Sequence, residues 1–162
     1  MDSNSFYALF SATCFALVGL WWTVVESRPQ WFKDEQLKTM AGGIYLSFLI
    51  PGLMALGAQV TGGSSPLWRA VFAVGAIFGI YYTTRILTKT KNVGKPGPFR
   101  RNRWFVIVVY VFILVGSLGA DKLIAIPNLT PIQIEALFMC LLILIGHGLA
   151  WEFLTEAQAT SA

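Results

Sequence analysis

The sequence predicts an all-α integral membrane protein, a bundle of five transmembrane helices with four as the alternative count. Composition is the first reason. The chain has 162 residues, of which 56% are hydrophobic and 12% charged, about half the roughly 25% of Asp, Glu, Lys and Arg that a water-exposed domain carries. Charge spacing is the second. No Asp, Glu, Lys or Arg falls between Asp2 and Glu26 or between Lys38 and Arg69, and the shorter intervals Arg69 to Arg85, Arg103 to Asp121 and Glu135 to Glu152 are equally clean. Around 20 apolar helical residues cross about 30 Å of hydrocarbon, and these intervals supply that repeatedly. They leave no stretch for a water-soluble unit, so residues 1–162 read as one membrane domain.

The first helix is expected at about 5–25. It lacks a basic leading segment and a small-residue cleavage site, so it reads as a retained helix. The second is expected at about 40–60, with an earlier start near Asp34 as a variant. Ser65 as N-cap and Pro66 at the first helical position mark the third, at about 67–87. A basic loop broken by Gly and Pro covers 89–103. The fourth, at about 104–120, is the shortest and the one a four-span count would drop. Thr130, Pro131 and Gln133 form a capping-box start for the last, at about 131–154.

Lysine and arginine set the expected orientation. With five spans one side holds Arg28, Lys33, Lys38, Arg85, Lys89, Lys91, Lys95, Arg100, Arg101 and Arg103, while the other holds Arg69 and Lys122. The crowded side is read as cytoplasmic, which places the amino terminus outside and the carboxy terminus inside a plasma (inner) membrane. All six tryptophans fall near expected helix ends or in a loop, where indoles anchor to the interface.

Small residues let helices approach closely in lipid. Ala8, Ala12 and Ala16 form a stripe on the first helix, and Gly75 and Gly79 form a G-x-x-x-G on the third; both are candidate packing faces. Pro51 lies mid-helix, where it removes a backbone donor and crowds the Ser47 carbonyl. The plain expectation is a kink healed by a neighbouring helix. The sharper one is a bend lining a pathway, with Tyr45 and Ser47 supplying oxygen ligands.

His147 is the single histidine. It is expected to hydrogen-bond across a helix interface, with proton relay or ligand contact as the functional alternative. Glu135 is expected to complement the dipole of the last helix, or else to stand at the mouth of a pathway. Asp121, Glu26 and Glu152 are read as water-reached ends. The basic loop, Arg85, Lys89, Lys91, Lys95, Arg100, Arg101 and Arg103, is a topology determinant resting on anionic headgroups of the bilayer.

Nucleic-acid binding is disfavoured, because no recognised module surrounds that basic segment. The sequence contains no phosphate-binding glycine loop, nucleophile elbow, H-E-x-x-H or C-x-x-C, so no cofactor or metal is expected and enzymatic activity is disfavoured. Three functional classes remain. The favoured one is a homo-oligomeric channel or small transporter. The others are a non-catalytic accessory or assembly subunit of a membrane complex and a cofactor-binding membrane enzyme using His147.

Overall fold

Two aspartates start the first two helices. The Asp2 carboxylate accepts the Ser5 N–H at 2.7 Å and opens α1, Ser3–Glu26. Asp34 accepts the N–H groups of Gln36 and Leu37 and opens α2, Glu35–Val60, so this helix takes the earlier of the two expected starts. Between them lies a 3-10 turn, Pro29–Phe32. The remaining helices are α3 (Pro66–Lys89), the one-turn α4 (Pro98–Arg101), α5 (Trp104–Ser117) and α6 (Pro131–Ala159). At the start of α6 the Gln133 side chain reaches back to the Thr130 N–H at 2.9 Å.

The computed structural model describes residues 2–61, 66–90, 97–119 and 129–159. Among them every regular element is helical. Ser65, Lys91, Lys95, Asp121 and Lys122 lie outside the described residues.

Four helices, α1, α2, α3 and α6, are long and apolar enough to cross a membrane. The chain is thus an all-helical protein of membrane-embedded type. The fifth expected segment is a 14-residue helix, about 21 Å long. It stops short of Ala120 at Leu118 and Gly119; Gly119 adopts φ +88, the left-handed conformation that commonly ends a helix and suits glycine.

Helix contacts fix the layout. α2 packs on α1, α3 and α6; α3 packs on α5; and α5 packs on α6. The helices α2, α3, α5 and α6 therefore close a ring, and α1 leans on it from outside along α2. A dry core occupies one end of the ring: Met54 and Ala55 from α2, Phe72 and Ala76 from α3, Ile113 from α5 and Met139 from α6. Large apolar side chains such as Leu20, Val60, Leu67, Ile77, Leu144 and Trp151 point outward.

The face by which α1 meets the ring is Tyr7, Ser11, Cys14, Trp21 and Val25, all buried. This corrects the expected packing face within the chain: Ala12 and Ala16 are exposed and Ala8 is half-buried. The bulkier stripe wins because it supplies contact area, and Gly52 of α2 admits it. A Cβ on Gly52 would sit 2.8 Å from Cys14 Cβ. Gly75 and Gly79 lie against other helices of the same chain, Gly75 under the Met54 side chain of α2 and Gly79 under the Tyr110 ring of α5.

The tryptophans divide into two groups. Trp22, Trp104 and Trp151 are exposed, whereas Trp21, Trp31 and Trp68 are buried inside the protein. Trp21 donates from Nε1 to the Ala41 carbonyl at 3.0 Å, and it packs with Trp31 and Phe153 in an aromatic cluster joining α1, the 3-10 turn and α6.

Candidate functional site: a cavity at the basic end of the ring

The segments that line the cavity show its depth. They are the first half of α2 (Met40 to Ile50), the last half of α3 (Gly79 to Ile86), the start of α5 (Val106 and Tyr110) and the last half of α6 (Leu142 to Phe153). Successive ring helices therefore run antiparallel, and all four contribute at one end. The cavity measures about 90 Å³. A water needs roughly 10–15 Å³ measured this way, so the space suits a slender ligand or a short file of waters.

Glycines bring its walls together. A Cβ on Gly43 would sit 2.8 Å from Ile86 Cδ1, and one on Gly146 would sit 2.8 Å from Ser47 Oγ. The walls are mostly apolar, with hydroxyls from Ser47, Tyr82, Thr83 and Tyr110 among them. Ser47 donates its proton to the Ile44 carbonyl at 2.7 Å, so toward the cavity its oxygen acts as an acceptor. The floor is Tyr110 and Leu142, both of which also belong to the dry core. Inward from there the ring axis is filled.

Charge gathers at the basic end of the cavity. Arg100, Arg103 and Glu152 line it. Arg100 is buried, and its backbone N–H donates to Glu152 Oε2 at 2.7 Å. Glu152 Oε1 takes the Phe99 N–H at 2.6 Å, so one carboxylate holds the first turn of α4 with both oxygens. This corrects the reading of Glu152 as a water-reached end; it is buried, because α4 folds over it. Phe99 rests on Gly148, where a Cβ would run into its ring. The Arg103 guanidinium donates to the hydroxyl and carbonyl of Thr90 at the end of α3. Burial, and then the neighbouring Arg100, pull the pKa of Arg103 below the ordinary arginine value.

The structure separates the residues singled out from sequence. Ser47 lines the cavity. Tyr45, two residues away, packs on Trp22 instead, because neighbours two apart on a helix point about 200° apart. Pro51 is buried one turn beyond Ser47, and α2 continues through it. His147 does not turn inward: it is exposed, its Nδ1 donates to the Ile143 carbonyl of its own helix at 2.9 Å, and its ring meets Phe48 edge-on. Its neighbour Gly146 takes the cavity-facing position, leaving no room there for the imidazole.

Glu135 is almost fully buried at the far end of α6, about 17 Å along the axis from Gly146. Its carboxyl lies close enough to Tyr7 for the two to interact electrostatically, and the Tyr7 hydroxyl donates to the Ile132 carbonyl at 2.6 Å. Glu135 is the fifth residue of α6, past the first turn where an acid complements the helix dipole, and it is buried beside α1. Of the basic loop, Arg85, Lys89 and Arg101 are exposed, while Arg100 and Arg103 line the cavity. Among the described residues no three His, Cys, Asp or Glu side chains come together as a metal site.

Sequence reasoning missed Tyr82, Thr83 and Tyr110 as cavity residues and Glu152 as the clamp. Aromatic and hydroxyl residues are ordinary in apolar helices, so only their shared height reveals them. The run Gly97-Pro98 before two arginines was the available sign of a helical turn inside the basic loop.

Comparison with known proteins gives no match to any family model, curated protein or solved structure.

Proposed function

We propose that this chain is a small membrane transport protein whose ligand enters the ring from the cytoplasmic side. The reading includes five spans, an external amino terminus and residence in a plasma (inner) membrane. One observation carries it: the ring holds a cavity toward one end only, with the other end of its axis filled by Met54, Phe72, Ile113 and Met139.

Two supports bear on span number and direction. The short α5 is tied at both ends to α3: Arg103 reaches Thr90, and the Arg69 guanidinium donates to the Gly116 carbonyl at 3.2 Å. These contacts hold both ends of the 14-residue helix against a full-length neighbour, and a short span is accommodated by local thinning of the bilayer. Among the described residues, Arg28, Lys33, Lys38, Arg85, Lys89, Arg100, Arg101 and Arg103 lie at the cavity end and Arg69 at the opposite end. That asymmetry favours a cytoplasmic mouth.

A pore along the axis of one chain is disfavoured by the filled core, so a conducting assembly would need a path between chains. A carrier with a one-sided pocket needs no such path. The test is sidedness. In a background with Cys14 and Cys140 replaced by alanine, Thr83→Cys is exposed to a membrane-impermeant maleimide in inside-out and right-side-out vesicles. Rapid labelling only in inside-out vesicles supports the reading; labelling confined to right-side-out vesicles, or none from either side, refutes it.

A further inference from the structure

The mouth and the interior of the cavity have different chemistry. At the basic end stand the Arg103 guanidinium, the buried Arg100 and one carboxylate, Glu152. Both oxygens of Glu152 are engaged by backbone N–H groups of α4, so that carboxylate serves the fold. Arg103 is held in place by Thr90, a positioned donor at the rim. Deeper in, the walls are largely apolar, as with Ile50, Val106 and Leu142. A cationic rim over a greasy slot matches a molecule with an anionic head and a hydrocarbon tail. Guanidinium groups suit carboxylate and phosphate heads in particular, because their planar donors fit two oxygens at once.

Volume limits the tail. About 90 Å³ admits one slender alkyl chain and leaves no space for two acyl chains side by side. We propose that the cavity binds a single-chain anionic amphiphile, an alkyl phosphate or alkyl carboxylate, with its head at Arg103 and its tail along α2, α5 and α6. This rests on the cavity being an accessible pocket and adds the ligand class.

The experiment uses the full chain in phosphatidylcholine nanodiscs, again with Thr83→Cys in the cysteine-free background. Maleimide labelling at position 83 is timed with octyl phosphate, octanol or octyltrimethylammonium added at equal concentration, after correcting for partition into empty nanodiscs. Octyl phosphate should slow labelling most, and Arg103→Gln should weaken its protection about tenfold or more, as expected for one lost charge-assisted hydrogen bond. Octanol should protect weakly and equally in both proteins, which shows that the pocket of the variant is intact. Val106→Phe, which fills the tail slot, should abolish protection by both compounds.

Equal protection by all three compounds overturns the anionic assignment while leaving an accessible pocket. Protection by phosphatidylglycerol in the nanodisc, with none from octyl phosphate, overturns the single-chain assignment. Absence of labelling before any ligand is added instead sinks the underlying reading of the pocket.

Discussion

The Glu152 carboxylate fixes the backbone of Arg100, accepting its N–H at 2.7 Å across 52 residues of sequence. Together with the bond to Phe99, this contact decides where the basic loop goes. Without it α4 is one turn of helix with little to hold it, since a single turn is unfavourable alone. With it, two arginines of a loop otherwise suited to headgroups are folded over a cavity.

Removing the clamp should therefore loosen the mouth before it unfolds the bundle. Glu152→Ala is expected to lower stability by about 2 kcal/mol, the range for hydrogen bonds to a charged group. Glu152→Gln keeps one acceptor oxygen and should lose about half as much. Thermal unfolding in detergent measures both. Hydrogen exchange at Phe99 and Arg100 should rise in each variant while the amides of α2 and α3 stay protected.

The two glycines of α3 should differ in their tolerance of a methyl group. At Gly79 the new Cβ meets the buried Tyr110 ring, whose atoms move only together. Gly79→Ala is expected to cost about 1–3 kcal/mol by overpacking. At Gly75 the obstacle is the Met54 side chain, unbranched and more adaptable than a ring, and Gly75→Ala should cost less than Gly79→Ala. Equal losses in thermal unfolding would contradict this assignment of faces.

On α1 the outward stripe and the buried stripe are adjacent residues. Ala12→Leu points away from the ring and should change stability by less than about 0.5 kcal/mol. Ser11→Leu enters the contact with the ring and should destabilise by about 1–3 kcal/mol. The same unfolding measurement separates them.

Asp2 gives a pH dependence with a definite sign. Its carboxylate accepts from Ser5, chiefly from the backbone N–H, and is thereby held below its ordinary value of 3.8. A lowered folded-state pKa means that the capping contribution is complete above that ordinary value and is lost as pH falls below it, through the lowered value. The protection of the Ser5 amide relative to a free peptide should fall over that window. Asp2→Asn, which still caps, should remove the pH dependence.

Much of the helix layout was legible because hydrocarbon imposes a simple demand: long charge-free segments with their backbone groups satisfied internally. Breaks at Pro66, Pro131 and the capping residues follow from local chemistry and lie within a few residues of the chain. The candidate site was less legible. His147 drew attention as the single histidine, yet Gly146 beside it faces the cavity, and facing depends on helix rotation within the ring. Apolar helices meeting both protein and lipid carry little periodic signal, so rotation has to come from packing. Arg100 and Arg103 could not be told from Arg85 and Arg101 by sequence, since only the reach of Glu152 and Thr90 distinguishes them.

The cavity ends where the core begins, and two positions on α3 distinguish one from the other. Thr83 lines the cavity, and Ala76 lies in the dry core seven residues away, about 10 Å deeper. Single Thr83→Cys and Ala76→Cys proteins, each in the cysteine-free background, are treated with a small water-soluble methanethiosulfonate in nanodiscs open to reagent on both faces. Fast reaction is expected at position 83 and none at position 76. Comparable rates at the two positions would reveal a continuous aqueous path through the ring and contradict a cavity that ends at the core.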